Sequence, residues 1–157
     1  MSRAFVKEPD GLDVFEDHPE KLISEHPNLV TPPGFEAIKS EVTRSQSELA
    51  AAQGANDRDA ISRATRDLRY WSQREMTAEV QQAPRDSETV QFGSTVSLVR
   101  DDGRRHSYRI VGEDESDPAN GAISYVAPLA QALMGKRVGD EVRAGATGSA
   151  EIVEIRR

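Results

Sequence analysis

Residues 31–71, TPPGFEAIKSEVTRSQSELAAAQGANDRDAISRATRDLRYW, decide how this chain folds. Thr31 can cap a helix, and Pro32 and Pro33 suit a first turn, whose N–H groups have no intrahelical acceptor. The apolar positions Phe35, Ile38, Val42, Leu49 and Ala52, with Ser45 filling the gap, then recur at spacings of 3, 4, 3, 4 and 3. That is the seam of a coiled coil rather than a wide core face. Gly54 is read as the breaker. Beyond Asn56-Asp57-Arg58-Asp59 a second seam runs through Ile61, Ala64, Leu68 and Trp71 with charged residues between them. Two seams about a short turn predict an antiparallel hairpin over residues 31–82, with its tip near 54–59.

Working outward, Gln81-Gln82 reads as the fraying end of the second helix and Ala83 to Ser87 as a linker. From Thr89 the period changes to two. Val90, Phe92, Val96 and Leu98 lead to Asp101-Asp102-Gly103, and Tyr108 and Ile110 alternate with Arg105, Ser107 and Arg109, which predicts a β-hairpin. Ala122 to Val126, Glu141 to Ala144 and Ala150 to Ile155 read as further strands. Pro128 to Met134 reads as a short helix closed by Gly135, and Glu113 to Asp117 as a solvated acidic turn. On the other side, residues 1–30 carry five acids between Glu8 and Asp17 and few periodic apolar positions. They read as an acidic, mostly extended tail, in which Phe5, Val6, Leu22 and Ile23 could dock. The expected fold class is α+β: a coiled-coil hairpin, then a small antiparallel sheet domain with one short helix at 83–157.

Composition narrows the function. The 157 residues include 20 Lys and Arg against 27 Asp and Glu, a net charge of −7, and no cysteine. A mean hydropathy of −0.63 and 36% hydrophobic residues fit one small core plus a part that buries little. Without cysteine there is no thiolate chemistry, disulfide or zinc ribbon. The acidic balance argues against autonomous nucleic-acid binding. No apolar run approaches a membrane span, and the start MSRAFVKEPDG lacks a secretory stretch, so a cytoplasmic location is expected. His18, His26 and His106 lack metal-ligand spacing, so no intrinsic metal or cofactor is expected.

The pairing of hairpin and sheet domain resembles the Gre-type (GreA/GreB) transcription elongation factors of bacterial RNA polymerase. The stretches that carry the resemblance are Leu29-Val30-Thr31-Pro32 with Gly34, Phe92-Gly93-Ser94-Thr95-Val96, Tyr108-Arg109-Ile110-Val111-Gly112, Ile123-Ser124-Tyr125, Pro128 through Lys136, and Val138-Gly139-Asp140. The opening Ser2 to Glu8 is similar to an extension on some members. The resemblance implies an FKBP-like C-terminal domain that docks on the rim of the polymerase secondary channel, and a coiled coil that enters the channel. The implied partner is core RNA polymerase, bound by a monomer. In cleavage-stimulating members two tip acids help hold a Mg²⁺ shared with the polymerase, an ion whose hard character calls for oxygen ligands. On this view the chain is an accessory factor and not itself an enzyme.

At the tip the family's cleavage pattern is Gly-Asp, two residues, then Glu-Asn-Ala, whereas this chain has Gly54-Ala55-Asn56-Asp57-Arg58-Asp59-Ala60. Asp57 and Asp59 are the candidates for a shared Mg²⁺. They also suit a purely local role, with Asn56 as N-cap and the acids on the free N–H groups and dipole of the second helix. Pro33 to Gly54 gives an arm of about 33 Å at 1.5 Å per residue, and the resemblance implies a hairpin short for the family by something near one heptad in each arm. In that respect the chain resembles the short-hairpin relative known as the regulator of nucleoside diphosphate kinase. The implied docking segment is Tyr125, Val126, Ala127 and Pro128, of which only Pro128 keeps the usual Ser-Pro signature. The expected function is modulation of elongation or initiation without strong cleavage stimulation. A true cleavage factor acting through the tip acids, and a helical interaction module unrelated to polymerase, are the alternatives. FKBP-like topology also raises prolyl isomerisation, but Phe92, Tyr108 and Tyr125 are too few aromatics to wall such a pocket.

Overall fold

The computed structural model describes residues 18–143 and 148–157. The docking expected of Phe5 and Val6, and the strand end expected at Ala144, lie outside the described residues. Helix α1 spans Pro32–Gly54, with extended Thr31 as its N-cap and the Thr31 hydroxyl accepting from the Gly34 N–H. Helix α2 spans Arg58–Thr77 behind Asp57, whose carboxylate accepts from the Ala60 N–H. Gly54 stays helical. The chain reverses at Asn56 instead, which takes a left-handed φ of 53°, a conformation Asn tolerates because its short amide can bond locally.

Ile38, Val42, Ser45 and Ala52 of α1 and Ala64 of α2 are buried in the seam. Phe35, Leu49, Ile61, Leu68 and Trp71 are only half-buried, because two helices cannot enclose what they share. Helix α2 ends four residues before the expected fraying at Gln81. Strand β2 (Glu79–Val80) pairs in parallel with β1 (Leu29–Val30), Leu29 opposite Glu79 and Val30 opposite Val80. This ribbon joins the segment entering α1 to the segment leaving α2. Buried Asn28 completes the junction, its amide donating to the Arg74 carbonyl at 2.7 Å and to the Thr77 hydroxyl at 3.1 Å.

The sheet contains β3 (Thr95–Arg100), β4 (Arg105–Val111), β5 (Ala122–Ser124), β6 (Glu141–Arg143) and β7 (Ser149–Arg156), ordered β5-β4-β3-β7-β6. Its pairs are antiparallel except β4 with β5. The β3–β4 turn uses Asp101-Asp102-Gly103, with the Gly103 N–H bonded to the Arg100 carbonyl. Val90 and Phe92 are buried but precede β3, tied in by Val90 N–H to Lys136 O and Gly135 N–H to Val90 O. Helix α3 (Pro128–Leu133) packs its Ala130 and Leu133 into a core with Val96, Leu98, Ile110, Ile123, Val142 and Ile152. No described helix is long and apolar enough to cross a membrane.

Candidate functional site

At the tip, both acids are already engaged. Asp57 is itself the N-cap of α2, one residue later than the Asn56 cap expected from sequence, and its Oδ1 is 3.1 Å from the Ala60 N. Asp59 sits in the first turn, with His18 Nε2 2.8 Å from Oδ1 and Arg63 Nη2 3.1 Å from Oδ2. Residues 18–28 follow α2 from tip to base, and His18 is held a second time where its N–H donates to Ser62 Oγ. Farther along, Lys21 Nζ lies 2.9 Å from Asp67 and stands over the Tyr70 ring at 5.5 Å. One oxygen of Asp57 serves as the cap and both oxygens of Asp59 are ion-paired, so a metal drawn to Asp59 would compete with His18 and Arg63. Among the described residues no group of three or more His, Asp or Glu side chains gathers as a metal site.

The base of the hairpin is where the sequence reading needs correction. The acidic run Glu113-Asp114-Glu115, expected to be a solvated turn, is a 3₁₀ turn that grips the hairpin. Arg74, only 2% exposed at its side chain, places Nε 2.5 Å from Asp114 Oδ2, and the Tyr70 hydroxyl donates to the other oxygen of the same carboxylate. Glu115 accepts from both the N–H and the hydroxyl of Thr31 and from the Gly112 N–H. Glu113 accepts from the Ser24 hydroxyl at 3.0 Å. Burial, and next the Asp114 acceptor, push the Tyr70 phenol well above its ordinary range, so it remains a donor.

Close approach explains two glycines in this clamp. A Cβ on Gly34 would lie 2.0 Å from the Glu115 carboxyl carbon, and one on Gly112 would lie 2.4 Å from the Leu29 carbonyl oxygen. The second contact is with backbone, which cannot step aside as a side chain can.

The four residues of the expected docking segment separate by burial. Tyr125 is 8% exposed, packs edge-on against Phe92 at 5.8 Å, and donates its hydroxyl to the Pro27 carbonyl. It therefore fixes the segment from below. Val126 and Ala127 are half-buried and Pro128 is exposed at the start of α3. Phe92 and Tyr125 fill the interior of the sheet domain, where an isomerase would need them as pocket walls.

Arg74 was not found by sequence reasoning. It lies one residue off the seam through Ile61, Ala64, Leu68 and Trp71, and its partner is 40 residues away. The available signal was the coincidence of one charge adjoining a seam with an acidic run next to a family-like Gly112, which no local pattern joins.

Comparison with known proteins identifies related sequences. Residues 85–157 match the family described as "Transcription elongation factor, GreA/GreB, C-term". The transcription elongation factor GreB of Neisseria meningitidis serogroup B (strain ATCC BAA-335 / MC58) is 34% identical over 154 residues, covering 85% of this chain and 94% of that protein. GreA of Nautilia profundicola is 49% identical over 67 residues, covering 42% of this chain and 41% of that protein. Among solved structures, the GreA factor homolog 1 (Gfh1) protein of Thermus thermophilus aligns with a TM-score of 0.42 at 19% identity, covering 84% of this chain and 100% of that one. The near full-length relationship to GreB, with the C-terminal family match, shows that this chain belongs to the GreA/GreB family of transcription elongation factors.

Proposed function

We propose that this protein binds core RNA polymerase at the rim of the secondary channel through its sheet domain, directs its short hairpin into the channel, and modulates elongation or initiation without strong stimulation of RNA cleavage. The observation that carries the last part is the engagement of the tip acids: Asp57 caps α2, and Asp59 is shared by His18 and Arg63. Reach supports the same reading. The 23 residues of α1 give an arm of roughly 35 Å at 1.5 Å per residue. Residues 126–128 form the docking edge, held out by Tyr125 beneath them. The hairpin's direction follows from the clamp, which fixes the base of α1 and α2 on the sheet domain.

The test is titration of fluorescently labelled full-length protein with core polymerase. Pro128→Glu, at an exposed site, should weaken binding by about tenfold. The double variant Asp57→Ala, Asp59→Ala should bind within about twofold of the parent and lose on the order of 1 kcal/mol of stability, the worth of one cap and dipole contact. Loss of affinity in the tip variant with none in Pro128→Glu would reverse the assignment of the two surfaces.

A further inference from the structure

We propose that the cavity between the hairpin base and the sheet binds a small phosphorylated molecule of the pyrophosphate or nucleoside diphosphate class. The cavity measures about 330 Å³ and is lined by Arg85, Arg109 and Arg157, with Gln81, Gln82 and Gly93 among the other residues around it. No Asp or Glu lines it. Arg109 projects from the outer face of β4, since Ile110 beside it points into the core. Arg85 arrives from the linker, and Arg157 follows β7 and donates to the Ser87 carbonyl at 3.3 Å. The guanidinium groups of Arg85 and Arg109 have no carboxylate partner among the described residues. By contrast Arg44, Arg63, Arg66 and Arg74 each lie within 4.0 Å of one.

Three arginines thus line one concave site in a chain whose net charge is −7. Arg85 and Arg109 bring positive charge to the site with no side-chain carboxylate on its lining, and the ligand that best complements them is a compact multivalent anion. Guanidinium forks match phosphate oxygens in pairs, and neighbouring amides can take the remaining acceptors. The volume suits a diphosphate with an attached sugar, not a duplex. The acidic remainder of the surface opposes an extended polyanion, which needs a basic track along its length. This inference goes beyond the polymerase reading and does not depend on it.

The experiment uses ¹⁵N-labelled full-length protein titrated in separate arms with inorganic pyrophosphate, ADP, a short single-stranded DNA and polyglutamate, with sulfate as the ionic-strength control. Pyrophosphate and ADP should give saturable amide shifts centred on Gln81, Gln82 and Gly93. Arg109→Ala should weaken both by about tenfold and Arg109→Lys by less, because a lysine keeps the charge but loses the fork. Arg104→Ala, at an exposed turn remote from the cavity, should bind like the parent. Arg104 and Arg109 are both exposed, so folding is expected to survive and is checked in the same spectra. Absence of saturable shifts, or shifts indifferent to Arg109→Ala, would overturn the proposal. So would tighter binding of DNA with shifts spread beyond the cavity, or equal binding of polyglutamate, which would make the site a nucleic-acid or acidic-protein contact.

Discussion

Asp114→Ala should cost about 3–5 kcal/mol of stability, the usual penalty for removing one partner of a buried ion pair. The Arg74 and Asp114 side chains are 2% and 10% exposed. Losing the carboxylate strands a guanidinium and the Tyr70 hydroxyl in a place water barely reaches. The loss should appear first as release of the hairpin base, because Asp114 is the point where α2 is fastened to the sheet domain. Trp71 is the single tryptophan and packs edge-on against Tyr70 at 5.0 Å, so its fluorescence during urea unfolding reads the clamp directly. Replacing both partners, Arg74→Met with Asp114→Leu, should cost much less, since the penalty belongs to the orphaned charge. The clamp also weakens with alkali. The folded state raises the Tyr70 phenol above its ordinary value of 10.0, so its contribution is complete below that value and falls as pH rises past it. A change below about 0.5 kcal/mol in Asp114→Ala would mean that the pair is a surface contact in solution.

Leu98→Ala should cost about 2–5 kcal/mol through lost burial and the cavity left behind. Leu98 is 1% exposed on β3, which pairs with both β4 and β7, so neighbours on two sides hold the space open. Its effect on the hairpin is the more telling measurement. The hairpin seam relies on small residues such as Ser45, Ala52 and Ala64, which bury little area, so the helices draw stability from the sheet domain through the clamp. Leu98→Ala should therefore lower the Trp71 midpoint as well as the sheet midpoint in the parent protein, and only the sheet midpoint when Asp114 is already Ala. Non-additivity in that cycle measures the coupling. An unchanged Trp71 midpoint in the Leu98→Ala single variant would show that the two parts melt independently.

The contrast between local and distant determinants explains what could be read before the structure. The 3-and-4 spacing from Phe35 to Ala52 and the Asp-Gly turn at 102–103 are written in adjacent residues, and both emerge as helix and hairpin. The parallel β1–β2 ribbon was not legible, because two residues at each side of a 48-residue excursion carry no period of their own. The same holds for Thr31 with Glu115 and Arg74 with Asp114, partners 84 and 40 residues apart. At the tip, the local capping role offered for the acids is seen at Asp57, one residue later than the expected Asn56 cap, while the ion pairs of Asp59 were not foreseen. Capping by Asp57 follows from local turn geometry, whereas the pairing of Asp59 with His18 depends on the path of residues 18–28 along α2. Tyr125 shows the same limit: its residue type suits either a surface or a core, and only packing against Phe92 and Pro27 decides for the core.

The most direct test combines the full-length protein with core polymerase halted in a backtracked complex containing labelled RNA, and records binding and RNA shortening in the same samples with Mg²⁺ present. The account predicts saturable binding with shortening no faster than the polymerase achieves alone, both unaffected by Asp57→Ala, Asp59→Ala. Rapid Mg²⁺-dependent shortening that disappears in the double variant would contradict it and make the tip acids metal ligands.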